Sequence, residues 1–146
     1  MKTPRLWCVL FYLLIASSTL AQSTRLSIDT LEHTSLDKAT KEVGFSALLE
    51  GSVDSNQLTV FVMVDQPHLN GAWRVFQATI SPNPGSDGTY RWSAICHFGE
   101  LNGKDIGNQH QLRAIAFDKS QLSPGRPLTL TADSISTQII TVTRTK

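Results

Sequence analysis

The chain has 146 residues, and its 13 lysines and arginines nearly cancel 12 aspartates and glutamates. That balance leaves no basic stripe to hold phosphates, which argues against nucleic acid as a partner. No polybasic or amphipathic segment marks a membrane surface either.

Lys2 and Arg5 precede an apolar run, Leu6–Ala16, and Thr19-Leu20-Ala21 then places small residues around a cleavage point. This is the pattern of a secretory signal peptide. The run is shorter than the ~20 apolar residues a membrane-spanning helix needs. Residues 1–21 are therefore read as a signal peptide, and the mature chain as exported (secreted, periplasmic or cell-surface) with no membrane span. Cys8 lies inside the apolar run rather than just after it, which argues against a lipid anchor. After cleavage Cys96 is the cysteine left, so no intrachain disulfide is expected. It is read as a small buried hydrophobe.

Residues 22–42 are polar and mixed, with Leu26, Ile28 and Leu31 suited to a short edge strand. Val43–Glu50 reads as a strand closed by Gly51-Ser52, and Asp54-Ser55-Asn56 as a turn. Gln57–Asp65 (QLTVFVMVD) is the strongest β stretch. Leu58, Val60, Val62 and Val64 line one face, while Phe61 and Met63 make the other partly apolar, the mark of a central strand. A loop with Pro67 and Asn70-Gly71 leads to a further strand, Ala72–Ile80, expected to pair antiparallel with the previous one. The turn cluster Pro84–Gly88 feeds Tyr90–Phe98, in which Tyr90, Trp92, Ala94, Cys96 and Phe98 on one side alternate with Arg91, Ser93, Ile95 and His97 on the other. Gln109–Asp118 alternates again, Ser120–Asp133 is a long connection broken by prolines, and Thr137–Thr143 is a closing strand.

Strands with turn signals every ten to fifteen residues, and no amphipathic helix between them, predict an all-β chain. The expected architecture is a two-sheet antiparallel Ig-like sandwich of about seven strands over residues 43–146. The cysteine pair that pins antibody domains is absent, so packing alone must hold the sheets together.

The pieces Leu49–Val53, Leu58–Val64, Trp73–Gln77, Asp87–Gly99, Leu112–Asp118 and Ile139–Arg144 resemble, in order, the strands of bacterial exported Ig-like modules. Such modules occur in surface and secreted proteins. The resemblance implies a β-sandwich that is not itself an enzyme.

The residues give no competing chemistry. His33, His68, His97 and His110 are scattered without metal-ligand spacing and are read as solvated, loop-side histidines, with His97 and His110 on potentially adjacent strands. Gly85-Ser86-Asp87-Gly88 is not a nucleophile elbow, because it precedes a strand rather than a helix. No cofactor, metal or catalytic set is expected, and the chain is read as a non-enzyme. The remaining handle is aromatic. On Ala72–Ile80, Trp73 shares a face with Val75, and Arg74 shares the other with Phe76, so one of the two aromatics should face outward. With Phe61, Gln77 and His68 nearby, this side is expected to contact an extracellular or cell-surface protein or glycan. The competing expectation is that the Ser120–Asp133 connection covers it. A third reading is a subunit that pairs through an edge strand, Leu26–Leu31 or Thr137–Thr143.

Overall fold

The computed structural model describes residues 25–66, 71–122, 124–125 and 134–146. The expected signal peptide lies outside these residues. The described chain forms eleven strands: β1 (Leu26–Leu31), β2 (Thr34–Ser35), β3 (Glu42–Val43), β4 (Ser46–Val53), β5 (Leu58–Gln66), β6 (Ala72–Gln77), β7 (Thr79–Ile80), β8 (Tyr90–His97), β9 (Gln109–Asp118), β10 (Ile135–Ser136) and β11 (Ile140–Arg144). The first sheet runs β2-β1-β4-β8-β7. The second runs β3-β11-β9-β5-β6, with β10 also paired to β9.

The count exceeds the expected seven because β2, β3, β7 and β10 have two residues each. A two-residue strand has no periodicity to read. The expectation of purely antiparallel sheets is also corrected, since β3 runs parallel to β11. Parallel pairing depends on where a distant segment lands, and local pattern does not record that.

Two local corrections shape the surface. Ala72–Ile80 is not one strand. At Ala78, buried and bonded through its N–H to the Val60 carbonyl at 2.9 Å, the chain leaves the second sheet, and β7 joins the first. Gly51 does not close a strand but lies inside β4, opposite Trp92. A Cβ there would sit 1.9 Å from the Ser27 carbonyl oxygen and 2.4 Å from Trp92 Cζ2. Glycine is what lets the β1 backbone and the indole approach β4 so closely.

Between the sheets, Val60, Val62 and Val64 of β5 and Leu112 and Ala114 of β9 pack in one core with Trp92 and Cys96 of β8 and Phe98 just after it, all buried. Each large side chain removed from water here contributes ~1.5–3 kcal/mol. Burial pushes the Cys96 thiol up to about 12, so it stays protonated at neutral pH.

Candidate functional site

The alternation of β5 decides which side chains the second sheet turns outward. Val60, Val62 and Val64 take the inner face, so Phe61, Met63 and Asp65 take the outer one. Register carries the same sidedness to β6, where Gln77 lies opposite Phe61, Val75 opposite Met63, and Trp73 opposite Asp65. On the other flank Ile115 lies opposite Phe61 and Arg113 opposite Met63. Trp73, Val75, Gln77, Phe61, Met63, Asp65, Arg113 and Ile115 thus share one face.

The sequence-predicted residues divide accordingly. Trp73, Gln77 and Phe61 belong to this face. Arg74 and Phe76 do not, because they lie opposite Val64 and Val62 on the inner side of the sheet. Phe76 packs against the core and meets the His97 ring edge-on at 5.6 Å. The sequence left Trp73 and Phe76 as alternatives, and the register makes Trp73 the outward one. His68 lies outside the described residues, as does most of the Ser120–Asp133 connection.

The face is graded. Ile115 and Phe117 are buried, and Phe117 meets Phe61 edge-on at 6.1 Å. Toward β6 the surface opens until Val75 is 41% exposed. The Arg113 guanidinium lies over the half-buried Trp73 ring at 5.6 Å, a cation–π contact that holds the indole flat against the sheet. The result is a largely apolar strip with one cation, Arg113, and one carboxylate, Asp65, ending at β6, which among the described residues has a strand neighbour on one side only.

No family model, curated protein or solved structure matches the chain. Its chemistry must be read from these side chains.

A second cluster escaped the sequence reading. His97 and His110, read from sequence as lying on potentially adjacent strands, belong to opposite sheets. Nor are both solvated: His110 is fully buried, while His97 stacks on Phe45 at 4.9 Å. Nδ1 of His110 is 3.3 Å from the Asp65 carbonyl oxygen, and its Nε2 is 3.6 Å from Asp105 Oδ2. Arg144 donates to the Asp105 carboxylate and, at 2.6 Å, to the Glu100 carbonyl. Burial alone would raise the Asp105 carboxyl. The bonds from Arg144 and the Glu100 amide outweigh it and hold that carboxyl below its usual value. Gly99 takes φ 71°, and a Cβ there would fall 1.2 Å from Asp105 Oδ2. The cluster thus fastens the Gly99–Asn108 loop to the end of β11, where Gly107 donates to the Arg144 carbonyl at 2.7 Å. Arg144 and Asp105 are 39 positions apart in sequence, and no spacing motif links them. No group of three metal-ligating side chains gathers among the described residues.

Proposed function

We propose that this chain is a non-catalytic, exported module with an Ig-like sandwich, and that it binds a protein partner through the outer face of its second sheet. The strand order supports the Ig-like reading: β1-β4-β8-β7 against β11-β9-β5-β6 follows the A-B-E-D and G-F-C order of that fold. It departs from antibody domains in having its core tryptophan on β8 and no pinning disulfide. Export rests on the leader-like pattern of residues 1–21.

The observation that carries the binding reading is the register that gathers Trp73 and Val75 beside Phe61 and Met63 on one outward strip. An aromatic anchor amid aliphatics, with an arginine at its rim, is the composition of a protein-binding hot spot. A glycan platform needs a bare ring, and here the guanidinium already lies over Trp73. A protein is therefore favoured over a glycan. The test compares retention of extracellular proteins by the wild-type chain and by Trp73→Ala, with circular dichroism and thermal unfolding of both. A folded variant with lost retention supports the reading, whereas an unfolded variant makes Trp73 a structural residue and removes it.

A second reading is favoured by β6 itself. Its open edge can add a strand from another copy of the chain. The edges expected from sequence are shorter, because β2 covers the end of β1 and β3 covers the end of β11. A concentration-dependent dimer in light scattering, broken by proline at an unpaired β6 position, would support this assembly role. A strict monomer would remove it.

A further inference from the structure

The outer face of the first sheet has a different chemistry. Register aligns Thr30 of β1, Glu50 of β4, Ser93 of β8 and Thr79 of β7 into one row across four strands. Three strand gaps of about 4.8 Å make such a row ~14 Å long. Arg91, Ser81 and Trp92 complete the wall of a cleft of about 500 Å³ built on this row. That volume lies within the roughly 300–1,000 Å³ of small-ligand sites.

Each charged side chain in the cleft already has a contact within the fold, Arg91 as an ion pair and Glu50 through hydrogen bonds. Arg91 donates to Asp29 at 2.8 Å. Glu50 accepts from Thr30 at 2.9 Å and lies 3.1 Å from His33 Nδ1, and both contacts fall on Oε2, so Oε1 remains able to accept. What the cleft offers a ligand is a mixed hydrogen-bonding row: hydroxyls that donate and accept, one carboxylate oxygen, and the remaining guanidinium N–H groups. Beside this row lies another made of Leu48 and Ile95, and Ile95 is 63% exposed. Outward side chains two positions apart on a strand are neighbours, so the aliphatic row borders Glu50 and Ser93 directly.

We propose that this cleft is a carbohydrate site, taking a short neutral oligosaccharide whose hydroxyl edge bonds to the Thr30–Glu50–Ser93–Thr79 row and whose C–H face rests on Ile95. A sugar ring carries both surfaces, and the two rows present their complements side by side. A neutral polyol can use these donors and acceptors while leaving the Asp29–Arg91 and Thr30–Glu50 contacts intact. The site is on the sheet opposite the Trp73 strip and does not depend on the protein-binding reading.

The test is an amide NMR titration of the full chain with maltotriose, cellotriose and tri-N-acetylchitotriose, with glycylglycine as the zwitterionic control. At least one trisaccharide should shift the Glu50, Thr79 and Ser93 amides saturably, while glycylglycine should not. Replacing the charged acceptor by an amide should weaken that binding about tenfold in Glu50→Gln, and loss of one hydroxyl should weaken it less in Ser93→Ala. Ser93→Ala, which removes one half-buried hydroxyl, keeps the test valid if Glu50→Gln disturbs the fold. The proposal is overturned if no trisaccharide gives a saturable shift at about 10 mM, well above a millimolar dissociation constant. It is equally overturned if glycylglycine shifts the same amides, or if the trisaccharide shifts fall at Trp73 and Val75.

Discussion

The two outer faces of this sandwich grow from one core and diverge completely. Across the first sheet the outward row is Thr30, Glu50, Ser93 and Thr79, and across the second it is Arg113, Met63 and Val75, with Trp73 beside them. The inner faces are alike, both dominated by fully buried apolar side chains. The difference teaches where function can reside. Period-two alternation ties the inward set to packing, but leaves the outward set free to vary, and each sheet has used that freedom for a different chemistry.

The comparison rests on a shared interior, and the largest effect expected is from breaking it. Arg144→Met leaves the buried Asp105 carboxylate without its cation, which should cost about 3–5 kcal/mol in denaturant unfolding and weaken binding at both faces together. A variant that loses one face alone would show that the two are less coupled than a common core requires. Next, Trp73→Ala should reduce protein retention by at least about thirtyfold, a hot-spot loss of ~2 kcal/mol, while trisaccharide shifts on the first sheet persist.

Acid should act on both faces equally. The Asp105 carboxyl is held below its usual value in the fold, so the stability it contributes is fully present above about pH 4 and is lost as pH falls through its lower folded value. Thermal scans should be flat with respect to this group down to about pH 4 and decline below it, and Asp105→Asn should shrink that acid step. The smallest stability effects belong to Val75→Lys and Ile95→Lys. Both sites are exposed, so each should change stability by less than about 0.5 kcal/mol. Their binding consequences should separate, with Val75→Lys blocking the protein partner and Ile95→Lys the sugar.

Much of the fold was legible because burial writes itself into alternation. Leu58–Val64 and Trp92–Phe98 announce their strands and their inward faces. What stayed hidden depends on distant partners. Whether Trp73 or Phe76 turns outward is fixed by pairing with β5, since both faces of β6 carry an aromatic residue. The sheet switch at Ala78 leaves no local signal, because an alanine fits either strand. The Thr30–Glu50–Ser93–Thr79 row joins four strands whose residues look like ordinary solvated positions one at a time. Asp105, His110 and Arg144 likewise look like surface charges until the loop folds over them.

The central claim is that the second sheet docks a protein and the first does not. Its most direct test places the photocrosslinker p-benzoylphenylalanine at Val75 or at Ile95, one exposed aliphatic position on each face, and irradiates the chain in the presence of an extracellular protein fraction. The account predicts a discrete protein adduct from position 75, absent when Trp73→Ala is added, and none from position 95. Equal adducts from both positions, or an adduct from position 95 alone, would contradict it.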